Sequence, residues 1–172
     1  MLLIRCTKKL SNDFDLKQEK DIQINRTESP LCEWYANLLR IDRRKCILFT
    51  NAKTLYTFLV PGVTKKESSD FGSFFTNNLR INLLAIDLPN LVIEKLVEEF
   101  QELRILPTNN RSILGSMNDY GFHCEFHIHR QGGLKSTDII ELNKKISKMP
   151  MSALKYSNGI KEIRNVVEKM LT

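Results

Sequence analysis

Hydrophobic and polar positions along the 172-residue chain change period near Gly62. Before it, apolar residues run or alternate in short stretches. Leu2–Cys6 predicts a strand. The polar, charge-rich stretch from Ser11 to Ser29 has little periodicity and predicts a short helix and a loop ending at Pro30. From Glu33, Trp34, Ala36 and Leu38 alternate with Tyr35, Asn37 and Leu39, the period of a strand. Cys46–Thr50 is a second apolar run and Thr54–Val60 a third, rich in β-branched and aromatic residues. The turns Asp42–Arg44 and Asn51–Lys53 separate them, and Pro61-Gly62 ends them. Three strands with tight turns predict an antiparallel meander, with Leu2–Cys6 as a fourth member.

After Gly62 the period is helical. Ser68 or Ser69 caps a helix carrying Phe71, Phe75, Leu79 and Leu83. Asp87 and Pro89 open a second, with Val92, Leu96, Phe100 and Leu103 on one face and Glu94, Glu98, Glu99 and Glu102 on another. Arg104–Pro107 reads as a connector or short strand. Ser112 caps a helix in which Ile113, Met117, Tyr120, Cys124 and Ile128 recur every three or four residues. A strand from Phe122 to His129 is its rival, because Phe122, Cys124, Phe126 and Ile128 also alternate; the helix is preferred. Thr137–Ser147 and Ile160–Leu171 complete the series. Strands first and helices later predict one α+β domain over residues 1–172. It has a small antiparallel sheet of three to five strands and four or five helices on one sheet face.

Composition adds a compartment. With 42% hydrophobic and 27% charged residues the chain is globular in character. Its start is apolar for only a few residues before Lys8-Lys9, the reverse of a signal peptide. No apolar run approaches the ~18 residues of a membrane span. Cys6, Cys32, Cys46 and Cys124 form no CxxC pair and read as buried thiols. A cytoplasmic protein is expected. A net charge of +6 and a pI of about 9.2 favour an anionic partner.

Four groups of residues look familiar together. They are Ile4–Leu10, Trp34–Leu38 with Arg43–Lys45 and Asn51–Thr54, Arg111–Asp119, and Asn143 with Met149–Met151. In that order the chain resembles a family of small bacterial and mobile-element proteins known only as a domain of unknown function. The resemblance runs over most of the chain. It implies a bacterial or phage cytoplasmic protein and carries no activity.

Candidate chemistry lies in four places. Arg40, Arg43, Arg44 and Lys45 cluster on one hairpin beside Asn37 and Asn51. Guanidinium groups there suit phosphate, and Lys8, Lys9 and Arg111 join them if the first strand and the fourth helix lie alongside. Arg111-Ser112 at a helix start sets free backbone N–H groups beside a cation, although capping is the plainer role for Ser112. His123, His127 and His129, all the histidines of the chain, share one face of a strand. On a helix His123 and His127 are i, i+4 neighbours able to share a metal. A solvated polar face is the favoured reading, and HExxH is absent. The acidic helix face reads as solvated, and no phosphate-binding glycine loop is present.

The leading expectation is a non-enzymatic binding module for nucleic acid, using Lys8, Lys9, Asn37, Arg43, Arg44, Lys45, Asn51, Arg111 and Ser112. A protein-interaction factor or inhibitor from a mobile element is the first alternative. A metal-dependent hydrolase or nuclease on the three histidines is the second. No cofactor is expected apart from that metal, and no membrane.

Overall fold

The computed structural model describes residues 1–20 and 29–172. Five strands, β1 (Leu2–Cys6), β2 (Glu33–Ile41), β3 (Arg44–Asn51), β4 (Thr57–Val60) and β5 (Leu103–Pro107), form one sheet in the order β4-β3-β2-β1-β5. The helices are α1 (Lys8–Asp13), α2 (Phe71–Ala85), α3 (Asn90–Glu98), α4 (Arg111–Arg130), α5 (Ile139–Ser147) and α6 (Gly159–Leu171). The fold is α+β, as expected, and residues 21–28 of the expected helix-and-loop stretch lie outside the described residues.

Two expectations about the sheet are corrected. The meander β2-β3-β4 is antiparallel, but β1 pairs in parallel with both β2 and β5, so the sheet is mixed. A parallel neighbour needs a crossover, and the chain between Cys6 and Glu33 supplies one through α1. Helices also cover both faces rather than one. Trp34, Ala36, Leu38, Phe49 and Phe58 face α1, α2, α3 and α6, whereas Tyr35, Leu48 and Leu59 face α4 and α5. Every residue of β1 is therefore buried. The first face holds an aromatic cluster in which Phe75 of α2 stands 5.1 Å from both Trp34 and Phe49, edge-on contacts that add to simple burial.

Helix starts differ from expectation by one or two residues. Asp70 caps α2, accepting the Ser73 N–H, in place of Ser68 or Ser69. Asn110 caps α4, accepting the N–H groups of Ser112 and Ile113, in place of Ser112. In both cases a carboxylate or amide oxygen just upstream reaches the N2 or N3 donor, which a serine hydroxyl would otherwise accept. The second predicted helix stops at Glu98, and Leu103, expected on its stripe, opens β5. The segment Phe122–His129 is helical, the preferred reading, and Ile113, Met117, Tyr120, Cys124 and Ile128 are all buried.

β4 is an edge strand whose open side is covered by side chains of α5. Asn143 accepts the Leu59 N–H at 2.8 Å and donates to the Leu59 carbonyl at 3.1 Å, as a neighbouring strand would. Ser147 does the same for Thr57, at 2.9 and 2.6 Å. Without these groups the edge would offer unpaired backbone to another chain.

Candidate nucleic-acid interface

The β2–β3 hairpin turns on Asp42 and Arg43, both with positive φ (50° and 63°). That is the two-residue turn whose twist matches the strands, and it is normally built from Asn-Gly. Here an arginine occupies the glycine position at some conformational cost and projects into solvent. Asp42 works inward. Its carboxylate accepts the Leu134 N–H at 2.7 Å and so ties the hairpin tip to the loop after α4. Gly133 in that loop has φ 112°, and a Cβ there would stand 2.7 Å from the Asp42 oxygen. Only glycine fits both demands.

The structure divides the candidate residues. Arg43 and Arg44 remain exposed at the tip, with no ion pair among the described residues. Lys45 does not: it pairs with Asp13 of α1 at 2.8 Å and lies over the Phe14 ring, and Arg40 shares Asp13 at 3.3 Å. The Lys45 contact, more than the Coulomb effect of its neighbours, holds the Asp13 carboxyl below its ordinary pKa. Asn37 accepts a hydrogen bond from the Thr7 hydroxyl at 2.9 Å, joining β2 to the end of β1. Asn51 is buried; its oxygen accepts from Lys53 and Thr54 and its amide donates to the Glu33 carbonyl, so it organises a turn.

Arg111 and Ser112 lie at the wrong end to join the hairpin. The start of α4 borders the β3–β4 turn at Ala52 and Lys53, and its last turn leads to the loop held by Asp42. A helix of 20 residues separates the two by about 30 Å. Lys8 and Lys9 are exposed on α1, and Lys8 borders a groove at the end of β5 rather than the hairpin tip. The expected single cluster of all these cations is corrected on these grounds.

The histidines do not converge either. His123 and His127 stack with ring centroids 6.3 Å apart, while His129 is exposed, two residues further round the helix. Among the described residues no three His, Cys, Asp or Glu side chains gather to hold a metal ion. His127 instead lines a groove of about 290 Å³ between α4 and α5, with Gln131, Asp138, Glu141, Lys144, Lys145 and Lys148. Its pKa is lowered, by partial burial first and then by the positive charges of Lys145, His123 and Arg130.

The residues around that groove were missed by reading the sequence turn by turn. From Arg111 to Tyr156 the chain carries seven basic residues (Arg111, Arg130, Lys135, Lys144, Lys145, Lys148, Lys155) and four acidic ones (Asp119, Glu125, Asp138, Glu141), a net +3 of the total +6, with Lys144 paired to Glu141 at 2.7 Å. The helices of the opposite face, α1, α2 and α3 with residues 61–106 around them, and α6, carry ten basic and ten acidic residues together. The excess of positive charge therefore lies on the α4–α5 side of the sheet, and a running sum along the last third of the chain would have found it. Two aromatic rings accompany it. Phe122 and Phe126 on α4 are 67% and 46% exposed, and the Arg130 guanidinium lies 5.7 Å from the Phe126 ring.

The family model described as Domain of unknown function (DUF6933) matches residues 3–162. The chain belongs to this family. The match takes in all five strands and helices α1 to α5, so the segments singled out in the sequence lie within it. No curated protein matches the chain. The family description names no reaction or partner, and the described helices include none long and apolar enough to cross a membrane.

Proposed function

We propose that this DUF6933 protein is a nucleic-acid-binding module that uses the outer surface of the α4–α5 layer together with the hairpin tip. The carrying observation is the excess of positive charge on one side of the sheet. The α4–α5 layer and its loops hold a net +3 where the helices of the opposite face are neutral, two phenyl rings stand exposed on α4, and the Asp42–Leu134 bond sets Arg43 beside that layer. Cations along a surface neutralise phosphates, and exposed rings give bases a stacking platform without sequence readout. The partner favoured is therefore single-stranded, and the module holds it without changing it.

The test is fluorescence polarisation of labelled single-stranded and duplex DNA and RNA at two salt concentrations. Single strands are expected to bind more tightly than duplex, with affinity falling steeply as salt rises. Lys145→Gln with Lys148→Gln lowers the slope of log K on log salt by roughly 0.7 for each phosphate that is no longer neutralised. Phe122→Ala and Phe126→Ala each remove about 1–3 kcal/mol of stacking. Absence of binding at low salt, or binding indifferent to both sets of substitutions, refutes the proposal.

A second reading, a docking surface for a protein, is favoured by one observation. Ile81 and Leu84, one turn apart on α2, and Leu91 of α3 are large apolar side chains left exposed on helices of the less basic side. Ile81→Lys with Leu84→Lys would abolish capture of such a partner while leaving oligonucleotide binding intact; loss of both activities would count against it.

A further inference from the structure

β1 and β5 are adjacent parallel strands whose chains leave their carboxyl ends toward opposite faces of the sheet. After Cys6 the chain enters α1, whose Leu10 packs with the first core; after Pro107 it leads to α4, whose Ile113 and Met117 pack with the second. Divergence of this kind leaves a crevice beyond the strand ends, and in open sheets with parallel strands that crevice is where ligands are taken. Here it is a groove of about 420 Å³, inside the range of roughly 300–1,000 Å³ usual for small-molecule sites.

The lining has a definite chemistry. Lys8, Asn12, Gln18 and Thr108 supply polar groups, and Leu16 and Pro107 supply an apolar wall. No carboxylate borders the groove among the described residues, and Lys8 makes no ion pair there. Gln18 is fixed in place: its amide nitrogen donates to the Cys6 carbonyl at 2.8 Å and to the Ser11 hydroxyl at 2.7 Å, which holds the chain after α1 against the end of β1. Cys6 beneath is fully buried, and burial pushes its thiol pKa up, so it forms floor and not nucleophile.

We infer that this groove binds a small organic phosphate of mononucleotide size. Lys8 meets the phosphate as a point charge. The amide of Asn12, the side-chain oxygen of Gln18 and the hydroxyl of Thr108 meet polar edges, and Leu16 and Pro107 take the ring. The inference does not depend on the nucleic-acid surface, which lies on α4 and α5.

Isothermal titration of the whole chain with AMP, GMP, CMP and UMP, and with inorganic phosphate, tests it. At least one mononucleotide is expected to bind, more tightly than inorganic phosphate. Lys8→Gln and Thr108→Val, substitutions of a solvent-facing and a half-buried side chain, should each weaken that binding roughly ten-fold. The Lys145→Gln, Lys148→Gln double variant should leave it unchanged. No binding of any mononucleotide up to about 5 mM overturns the inference. So does equal loss in the Lys145/Lys148 variant, or displacement of the bound mononucleotide by an oligonucleotide held on the α4–α5 layer. A nucleotide that binds while oligonucleotides do not would retain this site and remove the other.

Discussion

Asn143→Ala probes how the edge of the sheet is closed. In the native chain the Asn143 amide serves three buried groups: the Leu59 N–H at 2.8 Å, the Leu59 carbonyl at 3.1 Å and the Asn82 side-chain oxygen at 2.9 Å. Alanine leaves all three without that partner. A buried polar group stripped of its hydrogen bond costs about 1–3 kcal/mol. Water entering the space left by the amide recovers part of this, which puts the net loss at about 3–5 kcal/mol. Against a total stability of roughly 5–15 kcal/mol this is a large fraction. It corresponds to a fall in Tm of roughly 6–20 °C for a domain of this size.

Urea unfolding followed by circular dichroism measures the loss directly. Asn143→Asp sharpens the test. One carboxylate oxygen still accepts the Leu59 N–H, but the other meets two oxygens, those of Leu59 and Asn82, which the native amide had donated to. Relative to wild type at each pH, the aspartate variant should be less stable than Asn143→Ala at pH 7 and recover at pH 4, where a protonated acid can donate again. An alanine variant within about 1 kcal/mol of wild type would refute the view that Asn143 stands in for a missing strand.

Arg43→Gly relieves a left-handed residue at the hairpin tip and should raise stability by about 1 kcal/mol in urea while weakening oligonucleotide binding; a variant that binds normally would remove Arg43 from the interface. Burial, helped by Cys46 and Glu125, pushes the Cys124 thiol up to about 12 from an unfolded value of 9.0. The folded state therefore keeps a proton that the unfolded state loses. The urea midpoint should be steady below pH 9 and fall progressively from there toward pH 12, and native protein at pH 8 should resist alkylation that denatured protein undergoes. His127 has a lowered pKa and faces His123, Arg130 and Lys145 with Asp138 and Glu141 across the groove, so it is neutral at pH 7.5 in the free protein. A phosphate beside it favours the protonated form. Oligonucleotide affinity should rise between pH 7.5 and 6, and His127→Ala should flatten the profile; an unchanged profile would exclude His127 from the contact.

The class of the fold was legible because the strand period prevails before Gly62 and the helical period after it, with α1 and β5 as the exceptions. The pairing was not. Nothing in Leu2–Cys6 distinguishes a parallel from an antiparallel neighbour; that depends on the crossover through α1. Burial of both faces did leave a trace. Cys46, Ile47, Leu48 and Phe49 form an unbroken apolar run where a half-exposed strand would alternate, and all four are buried. In α4 the rival strand pattern arose because Cys124 and Ile128 are core while Phe122 and Phe126, at the intervening even positions, are solvent-facing. A strand reading would have buried those two rings, and the helix instead presents them.

Sequence adjacency overstated the hairpin and understated the layer behind it. Arg40 and Lys45 are neighbours of Arg43 and Arg44 in the chain, yet as a directly opposed β2–β3 pair they meet Asp13 from α1 and are balanced there. Arg43 and Arg44 gain their context from a residue 92 positions away, through the bond from Leu134 to Asp42. Gly133 beside that bond has a positive φ, and a Cβ there would meet the Asp42 carboxylate that makes it. The tip is thus tied to the basic layer by the Asp42 carboxylate, not by the arginines themselves. Alanine at Gly133 would push the Asp42 carboxylate from the Leu134 N–H and so loosen the tip even though it removes no charge. The same constraint accounts for the acidic residue in an otherwise basic turn: Asp42 accepts the loop N–H that fixes where Arg43 stands.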